Sequence, residues 1–326
     1  MLNYIPMKKS ILAFFLRVLI SLVLIVILLY IMRNRYGQIL HSLSGTDIYL
    51  LALALLVFIS TITVSSIRLK LIAEAQGVIA ITFLESLSLT FIGYFFNNFL
   101  PTAIGGDVVK AYYLSKKSVD KISSYTSVFV DRAIGLFTMI IMAVIALVFV
   151  QNQIIDKMLR LMIYVVALIF LAAVLFVTNK NIARKFSSVL SLVKPIKEKL
   201  KSAYNAIHAY KDQKMAIFQA VIMSIISQLL YFLTIGIVAY SIGSRIPAME
   251  LLLRVPIVCA VSVLPSINGL GLREGSIVLL FGTVIGKEHA FAVSILLLLL
   301  LLVISLMGGV VYALSPQFKV RLQELG

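Results

Sequence analysis

The sequence predicts an all-α polytopic membrane protein with about six full spans and two re-entrant helical hairpins. We expect the hairpins and their flanking spans to form an inverted repeat, with both termini cytosolic. Composition is the first observation: 61% of the 326 residues are hydrophobic, 13% are charged, and the mean hydropathy is +1.08. Soluble domains are nearer to about 45–50% apolar and about 25% charged. Long apolar runs and two matching polar breaks are the other two observations.

Six apolar stretches are long enough to cross a bilayer, which takes about 20 residues. Their hydrophobicity is continuous rather than alternating, which excludes a transmembrane β-barrel. They lie at 11–32, 48–67, 125–150, 159–177, 215–240 and 290–314.

The two polar breaks share one pattern. Each begins Leu-Pro and places a glycine four positions after the proline, at Pro101 to Gly105 and at Pro265 to Gly269. Proline removes a backbone donor and glycine permits non-helical dihedrals, so each break should interrupt a helix. Irregular backbone at membrane depth is tolerated where protein buries it or where it lines a cavity. Two matched interruptions are typical of an internal repeat around a midplane site.

The basic segment 180–214 sets the predicted orientation. It holds nine Lys and Arg residues, an excess typical of cytosolic loops. Counting spans outward from it makes 83–104 a hairpin that enters from the cytosol and 251–286 a hairpin that enters from outside. Arg33 and Arg35 are the exception, because this topology places them outside.

We expect a single integral membrane domain over residues 1–326. Repeat half 1 covers about 46–150, a linker span and basic amphipathic segment cover 158–214, and repeat half 2 covers about 215–314. Apolar residues of the basic segment recur at three- and four-residue steps, which favours a helix. That helix either lies on an anionic membrane surface or is an ordinary solvated connector.

Two charged residues, Asp131 and Arg132, lie within an apolar span. A charge at the bilayer centre costs at least about 2.5–3.5 kcal/mol, so each needs a partner or water. Neighbours on a helix point in different directions, so the partners should come from other segments. Asp107 and Glu274 are the candidates for Arg132. Asp131 and Arg132 either take part in function or form structural ion pairs that fix helix packing.

The glycines of the two breaks predict an anion site. Segments 105–107 and 268–271 are expected to expose backbone N–H groups where a helix begins, and helix N-termini bind phosphate through such donors. Lys110 and Arg273 follow closely and supply positive charge. The alternative is that the glycines only permit tight turns, with the charges at the membrane interface.

Three amides are expected to make hydrogen bonds between helices, namely Asn97, Asn98 and Gln228. The two asparagines also precede the first break, so they join the candidate substrate-binding set. That set is Asn97, Asn98, Pro101, Gly105, Gly106, Asp107, Lys110, Asp131, Arg132, Pro265, Asn268, Gly269, Gly271, Arg273 and Glu274.

The sequence carries few signs of catalysis. The single Cys259 excludes a disulfide framework, and His41, His208 and His289 are far apart in the chain. The 13 acidic residues include no Asp-x-Asp pair, and no hydrolase, metalloprotease or P-loop motif is present. We therefore expect no metal and no cofactor. Enzyme activity stays open, with a transporter favoured over a catalyst.

Three motifs together resemble a known family. They read Asn97-x-x-Leu100-Pro101-x-x-x-Gly105-Gly106-Asp107-x-x-Lys110, Asp131-Arg132-x-x-Gly135, and Leu264-Pro265-x-x-x-Gly269-x-Gly271-x-Arg273-Glu274. They are similar to the membrane domain of lysylphosphatidylglycerol synthases, over about residues 10–315. Lys110, Asp131 and Asn268 depart from the family, which more often has Arg, Glu and Gly there. We expect a stand-alone, flippase-like member without the aminoacyl-transferase domain.

The resemblance implies lipid translocation rather than lipid synthesis. We expect a multi-pass protein of a prokaryotic inner membrane that moves a phosphate-bearing lipid between leaflets, either an aminoacylated phospholipid or a polyprenyl-phosphate-linked lipid. The alternatives are a membrane glycosyltransferase that uses a polyprenyl-phosphate sugar and a scaffold without transport. Anionic or phosphate-bearing membrane lipids are the expected partners, and nucleic acid is not. A homo-oligomer and a separate lipid-modifying enzyme stay open as further partners.

Overall fold

The protein is helical throughout the part of the chain that a computed structural model describes. That part comprises residues 7–75, 77, 79–99, 105–118, 120–149, 157–178, 208–264, 266 and 268–315. Every regular element in these ranges is a helix, which confirms the predicted all-α class. The α-helices are α1 (Met7–Met32), α2 (Tyr36–Ser44), α3 (Ile48–Glu74), α4 (Phe83–Phe99), α5 (Gly105–Lys116), α6 (Lys121–Phe149), α7 (Lys157–Thr178), α8 (Lys214–Ser241), α9 (Ala248–Ser262), α10 (Leu272–Ile285) and α11 (Lys287–Leu314).

Five helical stretches in the described ranges are long and apolar enough to cross a membrane. Each has 27 to 29 residues, or about 40 Å at about 1.5 Å per residue, against a hydrocarbon core of about 30 Å. The remaining predicted span, 159–177, corresponds to α7, a helix of 22 residues. That α7 crosses the membrane stays a prediction. The five stretches are Val18–Ser44, Ile48–Glu74, Lys121–Phe149, Lys214–Ser241 and Lys287–Leu314.

Two pairs of helices, each helix shorter than a full span, flank the two predicted breaks. α4 and α5 have 17 and 12 residues, and α9 and α10 have 15 and 14. A membrane-spanning helix needs about 20. The first interruption lies between Phe99 and Gly105 and the second between Ser262 and Leu272. Pro101 and Pro265 lie outside the described residues.

The chain divides into two compact units. Unit 1 comprises Met1–Ser60, Thr90–Val109 and Leu229–Gly326, and unit 2 comprises Thr61–Leu89 and Lys110–Gln228. Each unit therefore draws residues from both halves of the expected repeat, and the repeat halves stay a prediction.

α4 and α5 fold back on one another. In unit 1, Gly106 at the start of α5 lies against the carbonyl of Gly93 on α4. In unit 2, Lys117, just after α5, forms an ion pair with Glu85 in the first turn of α4. Contacts at both ends of the pair are those of an antiparallel helical hairpin.

α9 and α10 form a second antiparallel hairpin, in unit 1. The Arg254 guanidinium on α9 donates to the Leu280 carbonyl and, at 3.3 Å, to the Thr283 hydroxyl near the end of α10. At the opposite end, Gly269 lies against Ser262. The same guanidinium pairs with Glu250 one turn earlier on α9, so polar groups within the hairpin satisfy each other.

α11 fixes the position of α4 within unit 1. A Cβ on Gly308 would lie 2.1 Å from the Phe91 carbonyl oxygen, so only glycine allows this approach of the two backbones. One turn further along α4, the Phe95 ring stacks on Tyr312 at a centroid distance of 6.4 Å. The end of α4 that carries the first break therefore rests on α11.

Contacts at one end of unit 1 join segments that are distant in sequence. Arg35 forms an ion pair with Glu288 at the start of α11. The Asp47 N–H donates to the Ser241 carbonyl at 2.8 Å. These segments are the ones that the predicted topology places outside, Arg35 included.

Unit 2 is built around a buried tyrosine. Tyr210 packs with Ile72, Val130 and Ala220 in an apolar cluster. Its hydroxyl donates to the Ile72 carbonyl at 2.9 Å and contacts the Ser127 hydroxyl at 2.9 Å. Tyr210 lies near the end of the predicted amphipathic segment 180–214, of which residues 180–207 lie outside the described residues.

Candidate functional site

The first break is closed by an asparagine. The Gly106 N–H donates to Asn97 Oδ1 at 2.8 Å, so the last turn of α4 caps the first turn of α5. A Cβ on Gly106 would lie 2.0 Å from the Gly93 carbonyl oxygen, which explains why glycine is needed at this position. Gly105 is buried beside it.

The second break is a tight turn with three residues in left-handed conformations. Asn268 has φ 48°, Gly269 has φ 75° and Gly271 has φ 84°. Asparagine adopts this region more readily than other side chains, and glycine does so without strain. A Cβ on Gly271 would lie 2.7 Å from Leu24 Cβ of α1. The turn therefore needs glycine for its dihedrals and for close packing against α1.

The two breaks meet through their asparagines. Asn268 Nδ2 donates to Asn98 Oδ1, a contact between residues that are 170 positions apart in the chain. Both side chains are half-buried. The Asn97 cap, from α4 to α5, confirms the predicted hydrogen bond between helices for that residue. Asn98 instead binds the turn before α10. Within unit 1, the contact brings together the two interruptions that the sequence pattern pairs.

Arg273 and Glu274 form a buried ion pair at the start of α10. Their relative exposures are 7% and 6%, and Glu274 Oε1 accepts from Arg273 Nε at 3.0 Å and Nη2 at 2.5 Å. Glu274 Oε2 accepts from the Gly271 N–H at 2.7 Å. The pairing of neighbours differs from the sequence-based expectation. It arises because Glu274 turns back to cap its own helix, which places its carboxylate beside Arg273.

Two of the predicted phosphate donors are therefore occupied. The Gly106 N–H is bound by Asn97, and the Gly271 N–H is bound by Glu274. The prediction of open N–H groups is wrong for Gly106 and Gly271, because a nearby side chain accepts from each. For Gly105 and Gly269 it stays a prediction. An anion at either place has to displace an amide or a carboxylate.

The other predicted residues near the first break lie along α5. Asp107 is in its first turn, and Lys110 follows one turn later. Both side chains are half-buried. A carboxylate in a first turn is stabilised by the helix dipole, so Asp107 competes with an incoming anion there.

Asp131 binds a residue that the sequence analysis did not select. Arg68 of α3 donates from Nε to Asp131 Oδ1 at 2.7 Å and from Nη2 to Oδ2 at 3.2 Å. Its Nη1 donates to the Ser224 hydroxyl at 2.6 Å. The predicted span ends at residue 67, but α3 continues to Glu74, so Arg68 lies within the helix and not after it. The apolar residues after Arg68, at positions 69 and 71–73, were the available signal.

Gly135 explains the spacing of the Asp-Arg-x-x-Gly motif. It lies one turn after Asp131 on α6, and a Cβ there would lie 2.9 Å from Arg68 Nη1. The glycine thus makes room for the guanidinium. Gln228 Nε2 donates to the Gly135 carbonyl at 2.9 Å, which confirms the predicted hydrogen bond between helices. Arg132 is half-buried on α6, and its pairing with Asp107 or Glu274 stays a prediction.

These features define a helical membrane protein with two interrupted helix pairs and buried ion pairs. The sequence matches the family described as lysylphosphatidylglycerol synthase TM region over residues 14–309. The chain belongs to that family, which confirms the resemblance of its three motifs.

Two similar relatives are archaeal. A UPF0104 membrane protein of Methanothermobacter thermautotrophicus is 24% identical over 288 residues, which cover 80% of this chain and 81% of the relative. A UPF0104 membrane protein of Pyrococcus horikoshii is 25% identical over 316 residues, covering 87% of this chain and 91% of the relative. No solved structure matches this chain.

Proposed function

We propose that this protein is a lipid translocase of a prokaryotic inner membrane that moves a phosphate-bearing lipid between leaflets. The observation that carries the proposal is the hydrogen bond between Asn98 and Asn268. It brings the two helix breaks together in unit 1, as a shared site between two repeats requires. Membership in the lysylphosphatidylglycerol synthase TM family supports the same class of substrate.

In this proposal, the two hairpins are re-entrant. Their helices are too short to span a bilayer and fold back on themselves, so each hairpin enters and leaves by one face. Polar backbone at the tips would then lie at membrane depth, where it has to be buried or hydrated. The Asn97 side chain satisfies one of these backbone groups, the Gly106 N–H.

Glu274 gives the proposed site its chemistry. Its carboxylate accepts from a helix-start N–H and from a guanidinium, and these are the donors that bind phosphate in proteins. Glu274 therefore occupies the position of an anion. A lipid phosphate binds by replacing this carboxylate on Arg273 and Gly271, and it leaves when the carboxylate returns. Because the carboxylate and the phosphate exchange on Arg273, this guanidinium is paired both before the lipid binds and after it leaves.

The test uses purified protein in liposomes that contain a fluorescent phosphatidylglycerol, with dithionite to quench the outer leaflet. Protein-dependent quenching beyond half of the fluorescence supports translocation. Glu274→Gln is expected to slow the exchange, because an uncharged amide competes poorly with phosphate and release is no longer assisted. Glu250→Gln is the matched control, since Glu250 forms a similar pair with Arg254 on α9.

Two outcomes oppose the proposal. Wild-type liposomes that quench no further than empty ones would exclude phosphatidylglycerol as cargo, and the assay then repeats with a polyprenyl-phosphate lipid. Transfer of a radiolabelled sugar from a polyprenyl-phosphate donor without lipid movement would favour the membrane glycosyltransferase instead.

A further inference from the structure

An apolar groove lies on unit 1 between the second half of α8 and the first half of α9. Its cavity measures about 420 Å³, within the range of about 300–1,000 Å³ typical of small-molecule sites. α8 lines it with Leu229 and Leu233, and α9 lines it with Leu251 and Leu252. Leu229 and Leu233 are 49% and 50% exposed. The groove is therefore open along its length and suited to a hydrocarbon chain.

A glycine keeps the groove open. Gly236 lies in the wall that α8 forms. A Cβ at this position would meet only Leu251 Cδ1, at 3.5 Å, which is an ordinary contact. Because Gly236 lines the groove, a longer side chain at this position would take up part of its volume. Gly236 thus preserves the space without being required by the helix packing around it.

Polar groups lie at one end of the groove. Tyr240 is in the last turn of α8, and Arg245 is in the loop that follows. Arg245 is exposed and makes no hydrogen bond or ion pair with any other residue in the described part of the chain. The groove therefore combines apolar walls with a cationic side chain, Arg245, at one end.

The dimensions match one leaflet of a bilayer. From Leu229 to Tyr240, α8 rises about 16 Å at about 1.5 Å per residue. Half of a hydrocarbon core of about 30 Å is about 15 Å. When Arg245 is level with the headgroups, the far end of the groove therefore reaches the bilayer centre.

We propose that this groove binds one acyl chain of an anionic phospholipid, with the headgroup phosphate on Arg245. A guanidinium holds phosphate through two parallel hydrogen bonds, and the apolar walls account for the chain. An anionic headgroup is favoured over phosphatidylcholine, in which the choline cation offsets the phosphate charge and is repelled by Arg245. The site is separate from the helix breaks. The proposal does not depend on lipid translocation, because binding in the groove is measured without transport.

The experiment uses full-length protein in phosphatidylcholine nanodiscs with a trace of lipid that carries a diazirine in its acyl chain. The headgroup is either phosphatidylglycerol or phosphatidylcholine, and mass spectrometry maps the labelled peptides. Phosphatidylglycerol is expected to label residues 229–252 about fivefold more than phosphatidylcholine, equivalent to about 1 kcal/mol per basic residue at the surface. Arg245→Gln should reduce phosphatidylglycerol labelling to the phosphatidylcholine level. Lys157→Gln, which removes an exposed charge on α7, should change nothing.

A second variant tests the apolar part. Gly236→Leu fills the groove and should remove labelling by both headgroups. Gly37→Leu is its control, because nothing lies within 4 Å of a Cβ at Gly37. Arg245 is exposed, so its substitution tests the headgroup contact even if Gly236→Leu fails to fold. Equal labelling by both headgroups, or labelling unaffected by Arg245→Gln, would overturn the proposal. So would a photoreactive residue at Leu233 that captures a second copy of the chain.

Discussion

Arg68 of α3 and Asp131 of α6 form a two-point ion pair, 63 residues apart in the chain, with each residue 8% exposed. Removing an ion from water costs several kcal/mol, and a buried pair offsets that penalty only when its remaining donors are also satisfied. Here the third guanidinium contact is the Ser224 hydroxyl. The pair therefore ties α3, α6 and α8 together within unit 2.

Breaking this pair should be more harmful than removing it. Arg68→Met or Asp131→Leu alone leaves an uncompensated buried charge and should lower the free energy of unfolding by about 3–5 kcal/mol. The double variant should lose much less, because no charge remains. The measurement is unfolding in detergent over a titration with sodium dodecyl sulfate.

Lys70 and Glu74 provide the matched control on the same helix. Their side chains are 31% and 34% exposed and pair at i,i+4 spacing. Neutralising either one should change stability by less than about 1 kcal/mol. If the Arg68 and Asp131 variants are simply additive, the two residues do not stabilise each other.

Gly135→Ala should destabilise the protein through Arg68. The new Cβ would lie 2.9 Å from Arg68 Nη1, and the guanidinium cannot retreat without losing Asp131 or Ser224. We expect a loss of about 1–3 kcal/mol, as for other overpacked sites. Gly275→Ala in α10 is the control, since nothing lies within 4 Å of its Cβ, and it should be neutral or stabilising by up to about 1 kcal/mol. Equal effects at the two positions would mean that Gly135 does not serve the guanidinium.

The helices and their interruptions were predictable because they depend on local chemistry. Apolar runs, the two Leu-Pro starts and the glycines predicted both breaks and the hairpin of α9 and α10. The predicted first hairpin, 83–104, is too short, because its returning helix is α5, Gly105–Lys116. The predicted span 48–67 is shorter than α3, which ends at Glu74, because Arg68 interrupts the apolar run. The sequence alone does not distinguish a buried arginine from one at the membrane interface, except through the apolar residues that follow it.

Partners across the fold could not be predicted in the same way. The repeat pattern paired the two breaks, but it did not specify that Asn98 would meet Asn268. Nor did it specify that Glu274 would cap its own helix, because the turn conformation decides which N–H groups stay open. Gly308 carried no signal at all, since a glycine within an apolar run reveals close packing only when the neighbouring backbone is known.

The asparagine contact is expected to matter for lipid movement more than for folding. Asn98→Ala removes the acceptor, and Asn268→Gly removes the donor while keeping a residue that tolerates φ 48°. Each should slow lipid movement in the dithionite assay by about tenfold, equivalent to about 1.4 kcal/mol. The double variant should be no slower, because both changes remove the same bond.

Gln38→Ala is the control for this pair, because Gln38 is an exposed amide on α2 in the same unit. Variants that move lipid at the wild-type rate would show that the meeting of the breaks has no part in transport. Multiplied losses in the double variant would show that the two asparagines act separately.

The start of α6 should respond to pH through Asp120. The Ser123 hydroxyl donates to Asp120 Oδ2 at 2.7 Å and the Ile122 N–H donates to Oδ1 at 2.9 Å. Together, and the Ser123 hydroxyl most, these bonds hold the pKa of Asp120 below its ordinary value. A lowered folded-state pKa gives stability that is present above the unfolded-state value of about 3.9 and is lost as pH falls through the folded-state value. Asp120→Asn keeps an N-cap acceptor but does not titrate. The stability difference between wild type and this variant should therefore shrink between about pH 5 and pH 3. It should amount to less than about 1 kcal/mol, because the carboxylate is exposed. Thermal unfolding in detergent at each pH measures it.

Ser123→Ala should move the change towards higher pH, because it removes the largest cause of the lowered pKa. A difference that stays constant from pH 7 to pH 3 would show that Asp120 does not stabilise the helix through its charge.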